Sequence, residues 1–253
     1  MGTGTQFGLS HRIYRDFRPP YPDSLYRRVF ASVAEPRTLA VDLGAGTGLV
    51  SAVLGQHFAR VCAVEPDPAM AAILREVAPD TELVSSPAEH ADFAAGSVDL
   101  VTCANAFHWM DGPVVARSVA RWLRPGGIFA GWRYPMPTIP ERVSALVARE
   151  MPRWLPFRHP GVLDMDGLRT SFGAHGDFEM LAEELIPNPI ALDHEAFLGF
   201  LRSVSFIAAF LRSLGDEAAR DYLVRLDDEL RTIVGRDPLV LDFPLTLVMA
   251  RRR

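Results

Sequence analysis

Lysine is absent from this chain: all 26 basic residues are arginine. Folding physics asks for no such bias, so it reads as the codon usage of a GC-rich genome. Cysteine is scarce as well. Cys62 and Cys103 each sit inside an apolar run, as small core residues do. No cysteine spacing outlines a disulfide framework or a metal site, and no metal is expected. The sequence opens without an apolar h-region, and no apolar stretch reaches the length of a membrane span. A reducing, cytoplasmic setting and no membrane partner are therefore expected. Positive charge is in deficit too, since 31 acidic residues against 26 arginines leave a formal net charge of -5. Such a surface repels phosphates, and no nucleic-acid partner is expected. The densest basic run, Arg251-Arg252-Arg253, reads as a solvated tail ending the last strand.

What is present is apolar and regularly punctuated. With 253 residues and 49% hydrophobic content, the chain can bury the core of one large α/β domain with a modest appended cap. After a polar, proline-closed stretch over 1–22, Asp23 is placed to cap a helix carrying Leu25, Val29, Phe30 and Val33. From there short apolar strands alternate with helices. Strands are expected at 38–43, 61–64, 82–85, 98–103 and 128–132, with helices at 50–58, 68–77 and 113–122 between them. That alternation implies parallel β-α-β units with helices on both faces of the sheet. The pattern changes over 135–176, where Pro135, Pro137, Pro140, Pro152, Pro156 and Pro160 interrupt aromatic and short helical stretches. A strand at 178–186, helices at 193–214 and 216–234, and a final strand at 244–250 complete the expectation.

The most informative segment is Val41-Asp42-Leu43-Gly44-Ala45-Gly46-Thr47-Gly48, where the first strand gives way to a helix. Glycines there permit a tight turn and admit a ligand to the backbone without a Cβ in the way. The amides of the helix N-terminus then face whatever is bound. An acid, Glu65, ends the second strand 21 positions beyond Gly44, where a carboxylate accepts both hydroxyls of a ribose. Two nucleoside cofactors compete for this arrangement. A dinucleotide site wants G-x-G-x-x-G, but the third position falls on Leu49 counted from Gly44 and on Ser51 counted from Gly46.

Four motifs in order resemble class I S-adenosylmethionine-dependent methyltransferases: the D-x-G-x-G-x-G turn, Glu65-Pro66-Asp67, Ser97-Val98-Asp99-Leu100-Val101, and Leu123-Arg124-Pro125-Gly126-Gly127. Tyr14, Arg18-Pro19 and Ala106-Phe107-His108-Trp109 are similar to the small-molecule subgroup that includes trans-aconitate methyltransferases. The resemblance implies a Rossmann-like α/β fold: a seven-stranded, mostly parallel sheet with an antiparallel last strand and a helical substrate cap. The whole chain is then one methyltransferase domain, with 135–176 and 193–214 as cap insertions. It also implies roles. Gly44, Gly46 and Thr47 approach the methionine part of S-adenosylmethionine, Glu65 the ribose, and Pro66, Ala88 and Glu89 the adenine. Tyr14 and Arg18 resemble an N-terminal clamp on the cofactor, Arg18 being able to pair a carboxylate bidentately. Asn105 lies at the carboxyl edge after the fourth strand, where such sheets bind ligands.

Methyl transfer from a sulfonium needs alignment and exclusion of water more than a particular catalytic group. His108 is the candidate general base, since it follows the strand bordering the methyl group; a loop-ordering hydrogen bond is its alternative role. His11, Trp109, Trp132, Trp154 and Phe206 are candidates for the acceptor pocket, and the cap aromatics among them can equally be core. Asn105-Ala106-Phe107-His108 lacks the proline-aromatic tetrad of enzymes that methylate bases or amide nitrogens. A small-molecule acceptor is expected; its identity and the oligomeric state are open. Two other readings stand beside this one. A cofactor-binding cyclase or regulatory protein can share the scaffold. An NAD(P)-dependent oxidoreductase can share the turn, although the missing third glycine counts against it.

Overall fold

A computed structural model describes residues 16–158, 166–181 and 183–253. The described chain falls into two compact units. One holds residues 21–134, 166–181, 183–186 and 245–253, and is built on a sheet. The other holds 16–20, 135–158 and 187–244, and is mainly helical. The division refines the expected cap boundaries: helix α6 (Gly167–Gly173) belongs to the sheet unit. The reason is packing, because Phe172 stacks on Phe129 with ring centroids 3.7 Å apart and Leu168 lies against the bare backbone of Gly131.

The sheet carries β1 (Leu39–Leu43), β2 (Arg60–Val64), β3 (Glu82–Val84), β4 (Val98–Ala104) and β5 (Leu123–Arg133) as its parallel body. The last strand, β10 (Leu245–Arg252), runs antiparallel to β5, and β6 (Phe178–Met180) and β7 (Glu184–Ile186) pair with its other side. The order is β3-β2-β1-β4-β5-β10, followed by β6 and β7. The strand expected at 178–186 is thus broken in two, and eight strands fill seven positions. All five residues of β1 are buried, which explains its continuous apolar run with Asp42 as the exception. Strand order reverses between β1 and β4, and in open α/β sheets ligands bind outside the carboxyl ends at such a point.

Helix α1 (Asp23–Phe30) precedes β1, and α2 (Leu49–Leu54), α3 (Pro68–Val77) and α4 (Gly112–Trp122) connect strands of the sheet. Asp23, expected to cap α1, is instead its first residue, with Pro22 at the N-cap and no side-chain cap bond; two other helices do begin at capping acids. Asp67 accepts from the N–H groups of Ala69 and Met70, and Asp111 from that of Val114, each satisfying orphan donors of a first turn. At the opposite edge from the glycine turn, Asp99 accepts from the amides of Thr38 and Leu39 at 2.7 and 2.8 Å and pairs with Arg124. The Arg124 guanidinium also donates to the Ala34 carbonyl at 2.9 Å. Asp99 and Arg124, quoted above as motif residues, therefore tie β1, β4 and β5 together where the strands begin.

The helical unit contains α5 (Glu141–Trp154), α7 (His194–Ser203), α8 (Ser205–Leu214) and α9 (Asp216–Val234). The helix expected over 193–214 bends by 86° at Val204, whose backbone is extended, and so becomes two. A two-stranded ladder, β8 (Pro189–Leu192) with β9 (Leu239–Asp242), completes the unit. Its strands lie far apart in sequence, so no local signal announced the pairing. Among the described residues no single helix is long and apolar enough to cross a membrane.

Candidate active site

The turn after β1 is held by its neighbours' backbones. Gly44 and Ala45 both donate to the Val64 carbonyl, at 2.9 and 3.1 Å, which fixes the turn to the end of β2. Gly44 has φ +63°, and a Cβ there would lie 2.5 Å from the Cβ of Ala106, so only glycine allows this approach. Gly46 has φ +57° and open space where a side chain would be. Its N–H donates 2.8 Å to Glu65 Oε2, while Glu65 Oε1 accepts from the Asp67 N–H, also at 2.8 Å. The buried Glu65 carboxylate thus joins the glycine turn to the start of α3.

Beneath the turn lies Asp42, fully enclosed, accepting from the hydroxyls of Ser51 at 2.7 Å and Thr102 at 2.8 Å. Burial pushes its carboxyl up to about 6, against the lowering effect of both hydroxyls and with a smaller upward push from Glu65. The Thr47 hydroxyl is buried and has no hydrogen-bond partner among the described residues. An orphaned hydroxyl, an open face at Gly46 and a carboxylate with acceptor capacity suit a nucleoside carrying an amino-acid tail. S-adenosylmethionine fits that donor and acceptor set. Pro66 is exposed beside it, whereas the Ala88 methyl belongs to the buried core of the sheet unit. Glu89 Oε1 accepts 2.7 Å from the Asp111 N–H, so one of its oxygens is committed to the start of α4.

Across the switch point, β4 ends in Asn105, whose φ of 52° places a non-glycine residue in the left-handed region. Its N–H donates to the Trp132 carbonyl at 2.8 Å, its Nδ2 donates to the Tyr21 hydroxyl at 3.0 Å, and its Oδ1 accepts from the Tyr134 N–H at 3.2 Å. These bonds use one of its two side-chain N–H groups and one of the two lone pairs on Oδ1, and they hold the side chain at the sheet edge. The 310 turn Phe107–Trp109 follows. Phe107 enters the core against Phe129 and Phe172, His108 is half-buried, and Trp109 is 56% exposed. The His108 and Trp109 rings lie 4.8 Å apart, tilted by 44°.

Of the remaining candidates, Trp132 belongs to the sheet unit and Arg18, Trp154 and Phe206 to the helical unit. Trp132 is buried in the sheet unit, edge-on to Tyr21 and Tyr26, and its indole nitrogen has no partner among the described residues. Trp154 is an interior residue of the helical unit: it donates 3.0 Å to the Tyr222 hydroxyl, which donates 2.9 Å to Glu150. Phe206 is likewise buried within α8. Arg18 donates 3.0 Å to the Ser203 carbonyl within the helical unit. Tyr14 and His11 lie outside the described residues. Sequence reasoning passed over the roles of Asp42 and Tyr21. A lone acid in an otherwise apolar strand was a usable signal for Asp42, since a buried carboxylate needs partners. For Tyr21 no local signal existed.

The methyltransferase domain family matches residues 41–131. A methyltransferase-named protein of Dictyostelium discoideum is 28% identical over 256 residues, covering 98% of this chain and 95% of that one. A Saccharomyces cerevisiae protein named as an S-adenosylmethionine-dependent methyltransferase is 31% identical over 140 residues, covering 53% of this chain and 48% of its own length. Among solved structures, one described as a type II methyltransferase from Anaeromyxobacter dehalogenans superposes with a TM-score of 0.72 at 28% identity. That superposition covers 93% of this chain and 98% of the other. Fold, glycine turn, the acid ending β2 and these relatives together support a class I S-adenosylmethionine-dependent methyltransferase.

Proposed function

We propose that the protein methylates a small-molecule acceptor and that His108 takes up the proton the acceptor gives away. The segment Asn105-Ala106-Phe107-His108 supports the acceptor class, because it lacks the proline-aromatic tetrad of enzymes that methylate bases or amide nitrogens. The net charge of -5 disfavours polyanionic substrates in the same direction. When bound, S-adenosylmethionine supplies an activated methyl group together with its leaving group. This chain's residues then have three tasks: to hold the acceptor in line, to exclude water, and to remove a proton where the acceptor carries one. His108 stands on the turn that follows Asn105, half-buried beside the exposed Trp109. Histidine is the side chain whose ordinary titration lies nearest neutral pH, which suits it to that last task. Trp109 is assigned to the acceptor's wall.

The test uses S-adenosylmethionine labelled in its methyl group and two acceptor pools. One contains small carboxylates, amines and phenols; the other contains tRNA, DNA and unfolded protein. Label entering the first pool is the expected result. Label entering only the macromolecules would overturn the acceptor class.

A further inference from the structure

We propose that Tyr21 is a positioning residue of the cofactor site, acting through the left-handed backbone of Asn105. The inference rests on the methyltransferase reading and adds a residue outside the motifs that carry it. A non-glycine residue at φ 52° is strained, and such a conformation persists only where its surroundings over-determine it. Three hydrogen bonds do so here. Two involve main-chain partners, the Trp132 carbonyl and the Tyr134 N–H; the third ends on a side chain, the Tyr21 hydroxyl. Asparagine suits the position because it tolerates this region and offers both a donor and an acceptor.

The phenol itself is held in place. Its ring meets Trp132 edge-on with centroids 5.6 Å apart and planes at 85°, and lies 6.5 Å from the ring of Tyr134. The oxygen that receives the Asn105 amide is therefore a fixed point. The next residue along, Ala106, rests directly on the glycine turn. Its Cβ would be 2.5 Å from a Cβ at Gly44, and the end of the Met110 side chain 3.1 Å from it. The Ala106 methyl thus fills the space a Gly44 side chain would take and lies against the glycine, so a shift of the Asn105 backbone bears on Gly44. From Gly44 the strand-end bonds to Val64 and the Gly46–Glu65 bond carry it into the cofactor cradle.

Tyr21→Phe removes one oxygen and keeps the ring. Titration calorimetry should show the dissociation constant for S-adenosylmethionine rising about fivefold, the size expected for a neutral hydrogen bond. Asn105→Gly adopts the same φ without the side-chain strut. In that background Tyr21→Phe should change the constant by less than about 1.5-fold, because the two residues form one coupled unit. An equal loss in both backgrounds would overturn the proposal, since Tyr21 would then act independently of Asn105. So would a lowered melting temperature with an unchanged dissociation constant, the signature of a hydroxyl that serves folding alone. Wild-type protein that fails to bind S-adenosylmethionine at all would overturn the methyltransferase reading and this proposal together. Tight wild-type binding that Tyr21→Phe leaves intact overturns only the latter.

Discussion

Replacing Glu65 with alanine should weaken S-adenosylmethionine binding at least tenfold. The Glu65 side chain is 7% exposed and already receives two backbone N–H groups, from Gly46 and Asp67, at 2.8 Å each. A carboxylate has about four lone-pair sites, so it retains capacity for the two hydroxyls of a ribose. A hydrogen bond to a charged group is worth about 1.5–3 kcal/mol, and each 1.4 kcal/mol is about tenfold in affinity. Loss of a single ribose bond therefore reaches tenfold, and loss of both exceeds it. Alanine also strips the acceptor from the Gly46 and Asp67 amides. The unliganded protein should consequently lose about 1–3 kcal/mol of stability. Titration calorimetry reads the first effect and urea denaturation without ligand the second. An unchanged dissociation constant in a folded Glu65→Ala protein would refute the reasoning, because no ribose acceptor would have been removed.

Three further outcomes are expected. Asp42 has its carboxyl raised to about 6 from an ordinary 3.8, so the folded state binds its proton more tightly than the unfolded state does. Relative to Asp42→Asn, wild-type stability should fall by about 2–3 kcal/mol as pH rises from 4 to 6 and stay level above that; a flat difference across this window would contradict the buried charge. Asp99→Ala leaves the Thr38 and Leu39 amides and Arg124 without their carboxylate, and should cost about 3–5 kcal/mol in chemical denaturation. Because this cluster lies at the strand starts, away from the glycine turn, cofactor affinity of the folded variant should stay within about twofold; a larger loss would argue against that separation. His108→Ala should lower kcat by about a hundredfold or more with cofactor affinity unchanged, and should remove the acidic limb of the pH–rate profile. Near-wild-type kcat in both His108→Ala and His108→Asn would take His108 out of the chemistry.

Much of the sheet unit was legible before any coordinates. Its parallel strands are buried on both faces, so β1, β2 and β4 appear as apolar runs. The Gly44–Gly48 turn and Glu65 were readable because glycines where a strand gives way to a helix, and an acid ending the next strand, are signatures carried by the sequence itself. What the tertiary structure decided involves partners far apart in sequence. It joined 189–192 to 239–242, moved Gly167–Gly173 into the sheet unit, and split the strand at 178–186 across two stretches of β10. It linked Trp154 to Tyr222, and through Tyr222 to Glu150, a partnership that no spacing of aromatics announces. It also made Asn105 a clasp between Tyr21 and Tyr134, 84 residues before it and 29 after it. A sequence displays which side chains must be buried and where the backbone can turn. Which polar atom satisfies which other is settled when the chain closes on itself, because burial obliges each donor and acceptor to find a partner among whatever folding brings near.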